Sequence, residues 1–372
     1  MNAVLNARRQ LTSVADRTTK QHCAWWHNCR PAGGNRTALP FLVEKGPTVL
    51  RSALVAGCAA VLAAGALAIA APAGASELAP HHMNAHAAGH RSVAASGNNL
   101  AYGGGNVVTA PKIFIVYWGN QWGSGSTVTN DPSGEAALQQ SFFSHAYGSG
   151  DTWSNSQTQY CQGVSAGTTQ CGSSGTHVGH PSANPVGGTW LDSSSKAPSK
   201  PGTSAIAAEA KKAATHFGVS GDNVQIIVDL AHGVSPSGFK TQWCAWHDHT
   251  TASNGADLPY TNMPYITDAG AGCGASFVAP SGGVNGATEG ITIVGGHEYA
   301  ETLTDPAPSS GWVDSSGAET GDKCAWISSG QGASSIVSLN GANFAVQSLW
   351  SNNFGGGAGN CVVSYTSASS QH

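Results

Sequence analysis

The stretch Gly295-Gly296-His297-Glu298-Tyr299-Ala300-Glu301-Thr302-Leu303-Thr304-Asp305-Pro306 concentrates the residue types that metal chemistry needs. On a helix, His297 and Glu301 stand at i and i+4, on one face and one turn apart. That spacing lets two side chains grip one cation, and Glu298, beside the first ligand, can reach a metal-bound water. The zinc-peptidase helix reads H-E-x-x-H, with two histidine ligands and a glutamate general base. Here glutamate replaces the second histidine. A catalytic zinc takes three protein ligands and keeps one position open for water. The third ligand must come from beyond the helix. Glu319 is the preferred candidate, with Asp322 and Asp305 as alternatives. Glu319 and Asp322 share a short loop, Glu319-Thr320-Gly321-Asp322-Lys323-Cys324, that a disulfide at Cys324 could hold over the helix.

One histidine and two carboxylates make a hard, anionic donor set. It suits zinc and shifts preference toward manganese or calcium. The added negative charge weakens the metal as a Lewis acid, which counts against strong hydrolysis. In the active reading Glu298 is the general base. The plain alternative is a structural helix, since H-E-x-x-E arises by chance in many helices. Weaker candidates stand elsewhere. His247 and His249 alternate on an extended segment and face one side, where they line a cleft, add a ligand or simply pack near Cys244. Asn262-Met263-Pro264-Tyr265-Ile266 could be an edge strand that receives an extended peptide.

The elements that must position these residues read as follows. Residues 112–118, Lys-Ile-Phe-Ile-Val-Tyr-Trp, form a β-branched and aromatic run expected to be a buried strand. Asp131-Pro132 opens a helix over 134–147, with Asp131 as its cap. Residues 148–200 are Gly/Ser-rich and read as loops and short strands. A second helix spans 203–217, with Ile206, Ala210, Ala213 and Ala214 on one face and Gly218 as its stop. Strands follow at 224–230, 243–249 and 260–266. The chemical helix is expected over 288–304, halted by Asp305-Pro306. Gly295 and Gly296 weaken it unless something packs closely there. This order is α+β and fits a zincin-like domain: a twisted mixed sheet above an active-site helix, loop-rich and stabilised by disulfides.

The charge is split along the chain. Residues 1–75 carry a net +6 and the remainder −10. An Ala/Val/Leu-rich run over 52–71 follows Arg51 and precedes Ala73-Gly74-Ala75, a small-x-small pattern. Basic region, apolar run and cleavage site together read as a secretory signal within 1–75; a membrane anchor is the alternative. Residues 76–100, with His81, His82, His86 and His90, read as a flexible tail or short pro-segment. Residues 101–372 then form a single domain or two lobes. The acidic balance argues against nucleic acid, and no second apolar span points to a membrane after cleavage. Six cysteines remain beyond the leader: Cys161, Cys171, Cys244, Cys273, Cys324 and Cys361. An even count in an exported chain implies disulfides, and sequence-local pairing is expected (161–171, 244–273, 324–361).

Tyr102-Gly103-Gly104-Gly105 followed by Pro111-Lys112-Ile113-Phe114-Ile115-Val116-Tyr117-Trp118-Gly119 resembles the opening of the plant exordium (phosphate-induced protein 1) family and of related secreted actinobacterial proteins. The stretch from His297 to Pro306 is similar to their H-E-x-A-E-x-x-T-[DN]-P pattern, and Glu319 to Cys324 to their E-x-x-D-x-C segment. The resemblance covers most of 102–361. It implies an extracellular or cell-wall-associated protein with a zincin-like helix, and no settled activity. Two functions follow as expectations. One is a secreted metal-dependent hydrolase, a zinc peptidase acting on peptide or cell-wall substrate with Glu298 as base. The other is a non-catalytic extracellular protein whose metal site is structural or vestigial.

Overall fold

The computed structural model describes residues 99–371. The expected signal segment, the histidine-bearing tail to residue 98, and Cys23, Cys29 and Cys58 lie outside the described residues.

The fold is mixed α and β. Its centre is a five-stranded sheet of β1 (Lys112–Trp118), β2 (Val186–Asp192), β3 (Val224–Leu230), β4 (Trp246–Thr251) and β5 (Asp257–Met263), in the order β2-β1-β3-β5-β4. β2, β1, β3 and β5 run parallel, and β4 closes one edge antiparallel to β5. β3 is buried at every residue, as a parallel strand covered on both faces must be. On one face lies α2 (Thr203–Phe217), which buries Ile206, Ala210, Ala213 and Ala214 and packs Phe217 at a tilt against Phe114 of β1. On the other lie α1 (Glu135–His145) and α3 (Glu289–Thr304), joined to each other through Phe143 and Tyr299.

β2 lies in the stretch 148–200 expected as loops and short strands, and it forms a full strand of the central sheet despite Gly187-Gly188. The two glycines are instead what the sheet needs. A Cβ at Gly187 would stand 2.4 Å from the Phe114 ring, and one at Gly188 would stand 2.9 Å from Phe217. The segment expected as an edge strand also differs. Asn262 and Met263 end β5, an interior strand, while Tyr265 and Ile266 lead into a 3₁₀ turn. The edges of the sheet are β2 and β4.

All sixteen residues of α3 are buried. A helix buried on every side is ordinarily apolar, yet this one carries His297, Glu298 and Glu301. Its weak point is explained: a Cβ at Gly296 would lie 2.9 Å from Trp153 and 3.1 Å from Phe142. Beyond α3 the chain packs back on it. A hairpin of β6 (Ser335–Leu339) and β7 (Ala342–Val346) lies along the helix, with Thr292 Oγ1 donating to the Ala345 carbonyl at 2.6 Å. A second hairpin, β8 (Leu349–Ser351) with β9 (Asn360–Val362), follows. Disulfides join Cys161–Cys171, Cys244–Cys273 and Cys324–Cys361, the sequence-local pairs. They are compatible with an extracellular protein. Among the described residues no helix is long and apolar enough to cross a membrane.

Asp131 caps α1 from four residues upstream, accepting from the Glu135 and Ala136 amides at 2.9 and 3.0 Å. Glu135 itself is buried between α1 and the turn after β5, where it accepts from the Ile266 amide at 2.7 Å. Burial pushes its carboxyl up to about 8, against the pull of the Ile266 and Thr267 amides. A carboxyl raised on folding stabilises the fold in its neutral form. That contribution is full below the ordinary value of 4.5 and is lost as pH climbs to about 8. Glu135→Gln keeps an acceptor for Ile266 and removes the titration. We expect it to raise stability at pH 8 by on the order of 1–3 kcal/mol with little effect at pH 5. Thermal melts at both pH values check this; parallel losses in variant and wild type would assign the titration to another group.

Candidate metal centre

The centre is built where four segments converge on the C-terminal half of α3. The helix supplies His297, Glu298 and Glu301. The edge strand β4 supplies His247. The loop tied down by Cys324 supplies Glu319 and Asp322, and the residue following β7 supplies Gln347. Nearly all of these side chains are buried: His247 is 2 % exposed, His297 4 %, Glu298 1 %, Glu301 0 % and Glu319 4 %.

Two groups of donor atoms result, and each could hold a metal ion. One is His297, Glu301 and Asp322; the other is His247, Glu298 and Glu301. In the first, His297 Nε2 lies 3.2 Å from Glu301 Oε1 and 3.8 Å from Asp322 Oδ1. The opposite ring nitrogen, Nδ1, is 3.0 Å from Gln347 Oε1. Gln347 cannot turn its amide round, because its Nε2 donates to the Gly321 carbonyl at 2.8 Å. A carbonyl oxygen only accepts, so Nδ1 carries a proton, and in the neutral ring Nε2 presents the lone pair. This is how an outer partner orients a metal-ligating histidine.

The loop approaches the helix very closely. A Cβ on Gly321 would sit 2.8 Å from His297 Nδ1 and 2.9 Å from Glu301 Oε1. Lacking one, Gly321 lets the Asp322 amide donate to Glu301 Oε1 at 2.9 Å. The loop is held by Cys324–Cys361, by Trp350 N donating to the Thr320 carbonyl at 2.9 Å, and by Lys323 paired with Asp314 at 2.8 Å.

The structure therefore brings His297 and Glu301 together with Asp322, an alternative third ligand, and places the preferred one differently. Glu319 lies beyond Glu301, with Oε2 3.6 Å from His247 Nε2. Asp305 belongs to neither group. Its carboxylate accepts from the amides of Ser309 and Gly311 at 2.7 Å each and so turns the chain after α3. Of the paired histidines, His247 points inward, while His249 is exposed and pairs with Asp257 at 2.8 Å.

The electrostatics are severe. Burial alone would lower His297, but the Glu301, Glu298 and Asp322 charges raise it to about 10. Likewise burial opposes and Glu298 and Glu301 drive the rise of His247 to about 9. Burial lifts Glu298 to about 7 despite both histidines, and burial with Glu301 lifts Asp322 to about 7. Glu319 is pushed well up by burial and by Glu301 and Asp305. Glu301 alone is held below its usual range: the two histidines outweigh its burial. His297 Nε2, both Glu298 oxygens, Glu301 Oε2 and both Glu319 oxygens have no hydrogen-bond partner. Buried charges in proteins are paired or coordinate metals, and a cation would supply what these atoms lack.

Beside His297 and Glu298 opens a narrow cleft of about 10 Å³, walled by Ala245, Val294, Trp326 and Gln347. Trp326 holds a left-handed backbone, φ 61°, rare for so bulky a residue. Its ring packs edge-on against Phe277.

Gln347, Gly321 and Trp326 escaped the sequence reading. No spacing links Gln347 to α3; only the turn between β7 and β8 brings it there. We expect Gln347→Leu to weaken metal binding by about 10–100-fold. Competition against a metal indicator measures this, and an unchanged affinity would mean that Gln347 does not steer the ring. Compared with family models, with curated proteins and with solved structures, the chain matches none.

Proposed function

We propose that this chain is a secreted metal-dependent hydrolase, a zinc peptidase on a zincin-like fold, related to the exordium-like extracellular proteins its motifs resemble. The observation that carries the reading is the spacing of donors about His297 Nε2. Ligands about 2.1 Å from a tetrahedral zinc stand about 3.4 Å from one another. The separations of 3.2 and 3.8 Å to Glu301 and Asp322 bracket that edge. A hydrogen-bonded pair would close to about 2.8 Å. Zinc is the cation preferred, with manganese or calcium as the alternatives for so anionic a set.

A bound cation would polarise a scissile carbonyl and favour ionisation of water. Glu298 lines the pocket next to His297 and holds a carboxyl raised to about 7, poised to exchange a proton near neutral pH. Gln347 keeps the His297 lone pair directed at the cation. Peptide or cell-wall peptide is the substrate class proposed.

One observation favours the non-catalytic reading. The ligands are almost wholly buried and the pocket is small, which suits a structural cation. Metal analysis of the purified protein, with a peptide-library cleavage assay on wild type and Glu298→Gln, separates the two. Bound metal without cleavage would leave the structural role standing. Absence of metal would remove both.

A further inference from the structure

We infer a second cation site at His247, Glu298 and Glu301, bridged to the first through the Glu301 carboxylate, so that the centre takes up to two divalent ions. The inference rests on the first site being a metal site and goes beyond it.

Glu301 is shared, and its two oxygens face different ways. Oε1 lies 3.2 Å from His297 Nε2, while Oε2 lies 3.8 Å from His247 Nδ1. Glu298 Oε2 lies 3.6 Å from the same His247 Nδ1. These separations again match the edge of a tetrahedron about a cation, near 3.4 Å, and are too long for hydrogen bonds.

The tautomer argument repeats independently. His247 Nε2 is 3.1 Å from the Asp305 backbone carbonyl, which can only accept. Nε2 therefore carries a proton, and in the neutral ring Nδ1 directs its lone pair at two carboxylates. His247 Nδ1, Glu301 Oε2 and both Glu298 oxygens are buried without hydrogen-bond partners. Facing two carboxylates, Nδ1 needs a proton or a cation between, and 3.6 and 3.8 Å are longer than the hydrogen bonds a proton would make. One divalent ion at His297, Glu301 and Asp322 touches neither His247 Nδ1 nor Glu298. Carboxylate-bridged ions lie about 3.5–4 Å apart in two-metal sites, and the bridge offered by Glu301 suits that distance.

The second ion takes Glu298 as a ligand and so withdraws the general base. The first equivalent of metal then activates and the second inhibits. The full chain, loaded with Mn²⁺ and with Zn²⁺ in separate samples, is analysed by metal mass spectrometry and, for manganese, by electron paramagnetic resonance. Wild type is expected to bind about two ions per chain and to show an exchange-coupled manganese spectrum. His247→Gln, which keeps a donor for the Asp305 carbonyl, is expected to bind about one ion and show an isolated-ion spectrum. One ion in both proteins overturns the second site and leaves the first. Two ions in both overturns the assignment of His247. No ion in either removes the metal reading altogether. If His247→Gln fails to fold, the wild-type spectrum decides: an uncoupled signal at saturating manganese overturns the bridge.

Discussion

Glu298→Gln is expected to abolish most peptide hydrolysis, lowering kcat by about 10²–10⁴-fold, the usual worth of a positioned general base, while the ion at His297, Glu301 and Asp322 stays bound. The substitution is nearly isosteric and falls in a helix turn where neither carboxylate oxygen makes a hydrogen bond. No hydrogen bond is therefore lost, although the 3.6 Å ion pair with His247 is weakened. What disappears is the group able to take a proton beside the pocket. Because the separations about His297 Nε2 involve Glu301 and Asp322 rather than Glu298, metal mass spectrometry should still find the first ion. A variant that keeps its metal and its kcat would show that Glu298 is not the base. The pH profile supplies a second readout. Glu298 is raised to about 7 by burial, opposed by His247 and His297, and a base acts only once deprotonated. Wild-type kcat should thus climb with pH through the neutral range, and the residual activity of the variant should not.

The chemical helix was legible in the sequence because its signals are local. The i, i+4 pair, the Asp305-Pro306 stop and the apolar lead-in all lie within one element, and α3 runs Glu289–Thr304 as expected over 288–304. α2 was legible for the same reason, its apolar face and glycine stop matching Thr203–Phe217. What the sequence hid depends on contacts made at long range. β2 cannot be singled out within the Gly/Ser-rich stretch 148–200 until Phe114 and Phe217 are known to lie across its glycines. The choice between Glu319 and Asp322 turns on how one tight loop sits over the helix, and Gly321 decides that by its missing Cβ. His247 could be suspected from its neighbours, but its lone pair is aimed by a backbone carbonyl 58 positions away. Gln347 had no signal at all: an isolated glutamine following a strand becomes a positioning residue only through the hairpin that lies along α3.

Stripping the metal should cost the protein a large part of its stability. Without a cation, Glu298, Glu301 and Glu319 are buried around two histidines that are raised to about 9 and about 10 by those same carboxylates. A ligand at 1,000 times its Kd stabilises the folded state by about 4 kcal/mol. For a domain of this size each kcal/mol moves the melting temperature by about 2–4 °C, so chelation should lower it by about 8–16 °C. The effect has a pH sign. The cation and a proton compete for the His297 Nε2 lone pair, so metal affinity falls as the solution is acidified, by up to about tenfold per pH unit for each proton displaced. The gap between metal-loaded and chelated melts should therefore be widest at alkaline pH and close toward pH 5. Glu301→Gln provides the control. It weakens the one carboxylate common to both donor groups, so its melt should respond little to chelator at any pH. Calorimetry with and without chelator, on wild type and this variant, reads the result directly. Identical wild-type melts in both conditions, with metal present beforehand and removed afterwards, would mean that the buried carboxylates are neutralised by protons alone and that the cation contributes nothing to holding the fold.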